Sequence, residues 1–553
     1  MSTPTELSDE LLAVLFESNP VSASLYGAHD RDDELPDISA AAELAFRERA
    51  EDIRVRAMAV DTSHADLEQR LTIAAVVHHA QAVVARFDAR SPEYTVVGSL
   101  FAPVAGLLFH LGQVSVADAR QGADFVTRLR RIPEFVATAA QRHREGVATG
   151  LVPVRVLVDD AIRHLDDHLA APGADPLLAP ELPDPALEQE RKQVLAESVH
   201  PALREYREVL AAEIAPHARP VQQPGLCWLP GGHEIYQRLV RANTSTDRTP
   251  QELHDIGRER IAALREELAE LGAKVWGERE PNAVLHRLRT DPALRWRDGE
   301  ELLASAREAI ARAEAVAPQW FATLPDQPCE VRAMPGPTTD STPIGLYTAP
   351  ALGGSRPGVY FANTERAEQR PRFNSEAIAF HEVVPGHHMQ FSLAQRRAEL
   401  PMLRRLIPIT AYTEGWGLYT ERLADEMGLY SDDVARLGMV AQDLVRAARL
   451  VVDTGLHEFG WSRQRAVDYL AEHTTLPQLE VESEIDRYIS LPAQALSYLV
   501  GKLEIDRVRA TAQQRLGADF DIRRFHDALL RHGALPVSTL DKLVAEELHL
   551  PRG

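Results

Sequence analysis

Apolar residues recur at three- and four-residue spacing through most of the chain, the period of helices with one buried face. Leu7–Phe16, Ala41–Ala59, Ala65–Arg86, Asp118–Gly150 and Pro153–Ala170 read this way, with charges filling the other positions. Residues 172–185 (PGADPLLAPELPDP) are rich in Pro, Asp and Ala and suit a connector. A sub-domain boundary is placed there, dividing an N-terminal helical part (1–185) from a second part (186–553). Helical period resumes over Glu188–Ile214, and Pro224–Gly232 is a Gly/Pro-punctuated loop. Thr249-Pro250-Gln251-Glu252 has the form of a capping box with Pro in the first turn, opening a helix to about Leu271.

Strands are expected only between Glu330 and Asn363. Val331–Met334, Gly345–Thr348 and Gly358–Phe361 are short, bounded by Gly and Pro, and rich in Val and Tyr. Beyond Ser375 the pattern is helical almost to the end. The expected architecture is mainly α, a large helical body with one small sheet inserted before the segment Ser375–Phe391.

Composition narrows the function classes. Sixty basic residues face 82 acidic ones, for a net charge of −22. Such a balance argues against sequence-independent nucleic-acid binding, which needs clustered cations. Cys227 and Cys329 lie in no CxxC, so a thiolate zinc site is excluded and two free thiols are expected. No apolar run approaches the ~20 residues of a membrane span. The acidic Met1–Asn19 lacks the basic and apolar regions of a signal peptide. A cytoplasmic protein that binds neither membrane nor nucleic acid is the expectation.

The chemistry concentrates in SEAIAFHEVVPGHHMQF (375–391). His381-Glu382 begins like the HExxH zinc motif, in which one helix presents two imidazoles and a Glu that polarises water. Position 385 is Pro instead of His, and the next histidines are His387 and His388. On a regular helix His388 returns to within about 20° of the phase of His381, about 10.5 Å along the axis, whereas His387 is about 120° out. Phase therefore favours His388 as the second ligand. A kink or bulge at Pro385-Gly386 would bring His387 round instead. The third ligand is assigned to Glu414, 26 residues past His388, where the small Gly415 would let a neighbouring helix come close. Glu421, seven residues further, shares its face and suits a partner for a ligating His. A zinc site on His381, Glu414 and one of the two later histidines follows, with Glu382 as general base.

At these residues the chain resembles a large bacterial family of unknown function whose signature is HExxPGHH followed by EGWxxYxE. Here those motifs are His381-Glu382-Val383-Val384-Pro385-Gly386-His387-His388 and Glu414-Gly415-Trp416-Gly417-Leu418-Tyr419-Thr420-Glu421. Tyr236–Gly257, Arg356–Thr364 and Gln494–Tyr498 with Gly501 resemble further family segments, and the likeness covers about residues 190–550. At motif level the family is similar to Glu-ligand zinc peptidases of the angiotensin-converting and oligopeptidase type. That likeness implies a helical ellipsoid with a channel, and it supports His388. It also implies that Tyr498 donates to the oxyanion and that Val359–Asn363, with Tyr360 and Asn363, pairs with an extended peptide. The resulting expectation is a zinc-dependent hydrolase of short peptides. A hydrolase of a non-peptide amide or ester is the alternative, and a non-catalytic helical scaffold a third.

Overall fold

The structure, a computed structural model, describes residues 2–334, 344–350, 352 and 356–550. It is mainly helical with one three-stranded sheet. Helices occupy Pro4–Ser18, Ala40–Met58, Leu67–Asp88 and Arg155–Ala170, as the apolar period requires. The Asp118–Gly150 stretch divides into Ala119–Arg130 and Ile132–Thr149. Pro133 sits in the first turn of the second piece, where its missing N–H costs nothing. Over Pro185–Ile214 two α-helical runs alternate with π-turns at Leu195–Val199 and Leu210–Ile214. Pro201, which cannot donate to the preceding turn, lies just beyond the first π-turn.

The packing does not divide at residue 185. One apolar cluster contains Leu107, Phe125, Leu129 and Phe135 together with Val194, Leu203 and Ile214. Further on, Thr249 and Glu252 form the capping box of helix Pro250–Trp276, which lies along Asp433–His457. The latter is buried on nearly all sides, and its run of Leu437, Val440, Leu444, Val451 and Leu456 is fully enclosed. A helix so surrounded is the core of a large domain rather than a surface element.

Strands β1 (Glu330–Ala333), β2 (Gly345–Thr348) and β3 (Val359–Ala362) are arranged β1-β3-β2. β3 runs parallel to β1 (Val331 beside Tyr360) and antiparallel to β2 (Tyr347 beside Tyr360). β2 rests on helix Ser375–Glu382 and β1 on helix Gly299–Val316. The sheet is thus a fixed wall beside the His-Glu segment. Both cysteines are free thiols, and no described helix is long and apolar enough to cross a membrane.

Candidate metal centre

Helix Ser375–Glu382 stops at the His-Glu pair. Val383 (φ −115°, ψ −96°) and Gly386 (φ −80°, ψ −132°) leave helical space before a second helix begins at His387. The indole Nε1 of Trp416 donates to the Pro385 carbonyl at 3.0 Å and fixes the break. Regular helical phase is therefore not carried across Val383–Gly386, and the phase argument for His388 lapses there.

The break brings His387 to His381. Their rings stand edge to face with centroids 4.7 Å apart. Glu414, from helix Thr410–Glu426, places Oε2 3.6 Å from His381 Nε2 and 3.7 Å from His387 Nε2. These separations are too long for hydrogen bonds. They are close to the edge of a tetrahedron, about 3.4 Å, that three atoms each ~2.1 Å from one zinc would define.

His388 is turned away and occupied at both nitrogens. Nε2 donates to the Gln327 carbonyl at 2.8 Å, and Nδ1 accepts from the Tyr347 hydroxyl at 3.0 Å. Burial lowers its pKa, so the ring is a neutral tie between the sheet and the second helix. The structure thus gathers His381, His387 and Glu414 and leaves His388 outside the cluster.

His381 is held from behind. Its Nδ1 donates to Glu421 Oε1 at 2.8 Å, which turns Nε2 toward Glu414 and His387. Glu421 is itself 1% exposed, and its other oxygen, Oε2, is buried without a partner. Burial opposes charge on His381, but Glu414 and Glu421 outweigh it and lift the imidazole pKa to about 10. Burial opposes the Glu414 carboxylate as well, yet the two imidazoles hold its pKa well below the usual range. With Glu382 half-buried on the same helix end, three carboxylates surround two imidazoles. Such buried negative charge calls for a cation. Two imidazole nitrogens and one carboxylate are the protein donor set of a catalytic zinc site, so the residues fit the metal.

Two glycines set the spacing. Gly417 lies under the His381 ring, where a Cβ would come within 2.6 Å of Cε1 and Nε2. Gly415, expected to admit the ligand helix, instead faces Gly501 at the crossing with helix Ser497–Leu516; a Cβ on it would come within 2.5 Å of that backbone. Both glycines cost about 1 kcal/mol of helix propensity each, tolerable because each permits a contact.

Glu382 makes no hydrogen bond to another described residue. Tyr498, half-buried at the start of its helix, has its phenol pKa raised by burial first and by the Glu414 charge second. It therefore remains a proton donor within electrostatic reach of the cluster. Its ring also carries the Arg449 guanidinium 4.6 Å from the centroid.

The substrate-pairing expectation for Val359–Asn363 is corrected by topology. β3 is the central strand, so both of its edges are already paired, and Tyr360 (2% exposed) and Asn363 (0%) lie in the interior. Strand order is set by long-range pairing and leaves no mark in a four-residue segment. Sequence reading also missed Tyr347, Trp416 and Gly417. Of these, only Trp416 and Gly417 carried a signal, as part of the Glu414 motif.

The Tyr236 segment and the backbone just before Gln494 meet at Asp453. Tyr236 Oη donates to Asp453 at 2.6 Å, and the Ala493 N–H, next to the Gln494 segment, donates to the same carboxylate at 3.1 Å. Their shared role is to join three parts of the buried core.

The chain belongs to a bacterial family described as "Bacterial protein of unknown function (DUF885)", whose model matches residues 20–544. Among solved structures it is similar to a protein from Colwellia psychrerythraea described as a putative lipoprotein. The two share 27% identity and a TM-score of 0.90, over 99% of this chain and 100% of that one. It is also similar to a putative lipoprotein of unknown function from Shewanella oneidensis, at 18% identity and a TM-score of 0.76, over 98% and 100%. The latter likeness is one of fold alone. Comparison with curated proteins gives no match.

Proposed function

We propose that the protein is a zinc-dependent hydrolase that cleaves peptide bonds in short peptides, with His381, His387 and Glu414 as the metal ligands. One observation carries the reading: His381 Nε2, His387 Nε2 and Glu414 Oε2 face one another at non-hydrogen-bonding distances, while Glu421 fixes the His381 tautomer. A bound zinc supplies Lewis acidity and brings the pKa of water toward ~7.

The chain's own residues do the rest. Glu382, at the end of helix Ser375–Glu382 and without a hydrogen bond to another described residue, takes the proton of the attacking water. It then returns that proton to the leaving nitrogen. Tyr498, kept protonated, donates to the developing oxyanion. Glu421 keeps His381 oriented throughout. The likeness of HExxPGHH and EGWxxYxE to Glu-ligand zinc peptidases favours a peptide substrate. A small-metabolite amidase would use the same residues, and a substrate panel separates the two.

The test is elemental mass spectrometry on tag-free protein followed by a peptide-library screen. His381→Ala and Glu414→Ala should each lose one zinc equivalent relative to wild type. Glu382→Gln should keep the metal and lose about 10²-fold or more in turnover. Wild-type metal content in both Ala variants would remove the proposal. The reading carries a cytoplasmic location. Cell fractionation tests that location; the 27%-identical structural relative is described as a putative lipoprotein.

A further inference from the structure

A second cluster of metal-ligating side chains lies in the N-terminal half, away from the centre described above, and does not depend on its function. His168 comes from the last turn of helix Arg155–Ala170, Asp175 from the Pro-rich connector, and His200 from the start of helix His200–Val209. Asp175 Oδ2 lies 2.8 Å from His200 Nε2 and 3.3 Å from His168 Nε2. The three ligand atoms all fall within 4.8 Å of one another. All three side chains are enclosed, at 6%, 0% and 9% exposure for His168, Asp175 and His200.

Local structure builds the arrangement. Asp175 caps the short turn Pro176–Leu178, its Oδ1 accepting from the Leu177 N–H at 2.9 Å, and this turns Oδ2 toward the imidazoles. His200 follows directly on the π-turn Leu195–Val199, a helix irregularity of the kind that often marks a functional position. Hydrogen bonding within the cluster is incomplete. His200 Nε2 is hydrogen-bonded to Asp175 Oδ2, whereas His168 Nε2, buried 3.3 Å from the same oxygen, lacks the geometry of a hydrogen bond to it. A buried polar nitrogen held at ion-pair range without a well-formed hydrogen bond is costly, and here it shares its carboxylate oxygen with a second imidazole.

We propose that His168, Asp175 and His200 form a second, structural site for a zinc-class divalent cation. Two imidazoles and one carboxylate suit zinc and its first-row neighbours rather than calcium or magnesium, which take oxygen ligands. The ion satisfies His168 Nε2 and staples the connector to the helices on both sides of it. This explains how a Pro- and Asp-rich segment of low apolar content keeps a fixed path.

The test uses the full chain, stripped with chelator and reloaded with zinc, in three forms: wild type, His381→Ala/His387→Ala, and His200→Gln. Two zinc equivalents are expected in wild type and one in each variant. Zinc should also raise the Tm of the His381→Ala/His387→Ala protein. A single wild-type equivalent that survives in His381→Ala/His387→Ala and disappears in His200→Gln keeps this site while removing the proposed active-site metal. A single equivalent lost in His381→Ala/His387→Ala overturns the inference and leaves the active-site reading intact. If His200→Gln does not fold, cobalt titration of His381→Ala/His387→Ala decides: one equivalent with visible d–d absorption supports the site, and no binding overturns it.

Discussion

Replacing Gly417 by Ala tests whether the cluster is assembled by close approach of the Glu414 helix to the His381 ring. A Cβ there would lie 2.6 Å from His381 Cε1 and Nε2 and 2.9 Å from Nδ1. Ordinary contacts are about 3.5–4.0 Å, so the overlap is about 1 Å. The ring has nowhere to go, because it is 4% exposed and tied to Glu421 at 2.8 Å. Overpacking of this kind costs about 1–3 kcal/mol, and the gain in helix propensity returns about 1 kcal/mol. Net destabilisation is therefore expected at about 0–2 kcal/mol. In a His381→Ala background the overlap is gone, and the same substitution should stabilise by up to about 1 kcal/mol. The coupling between the two positions is thus about 1–3 kcal/mol. Urea denaturation followed by circular dichroism, with chelator present, measures all four proteins. Chelator competition should show Gly417→Ala binding zinc 10–100-fold more weakly than wild type, the usual cost of misplacing a ligand. Equal stability costs in both backgrounds, with unchanged zinc affinity, would refute the reasoning.

Other predictions follow from the same geometry. His387→Ala should lose the zinc equivalent that His381→Ala loses. His388→Ala should keep it while losing about 1–3 kcal/mol of stability, since Gln327 O and Tyr347 Oη are left unpaired; metal loss in His388→Ala alone would reverse the assignment. Asp453 supplies a pH signature. Burial raises its pKa to about 7 despite the hydrogen bonds from Tyr236 and Ala493, whereas the unfolded value is about 3.9. Between those values the native protein holds a proton that the unfolded chain releases, so stability falls as pH rises. Relative to Asp453→Asn, wild type should lose about 3 kcal/mol between pH 4 and 7, and a difference that is flat with pH contradicts this.

Some of this was legible in the sequence because the signals are local. The capping box at Thr249–Glu252 and the three short strands appear within a residue or so of where they were expected. His381, Glu414 and Glu421 also meet as read, since each is placed by a regular helix whose face is set by period. The choice between His387 and His388 was not legible. Phase holds only while the helix continues, and the chain leaves the helix at Val383 and re-enters at His387. The interior position of β3 follows from which strands pair, a long-range outcome that Val359–Ala362 does not encode. The same is true of His168, Asp175 and His200, which share no ligand spacing and converge only because two helices and a connector fold together.

The central claim is that one metal sits between His381, His387 and Glu414. Anomalous diffraction at the zinc absorption edge, from crystals grown with zinc, tests it most directly. The account predicts a peak about 2.1 Å from His381 Nε2, His387 Nε2 and a Glu414 oxygen, with His388 still on Gln327 and Tyr347. A zinc-loaded crystal with no peak there, or with the peak on His388, would contradict it.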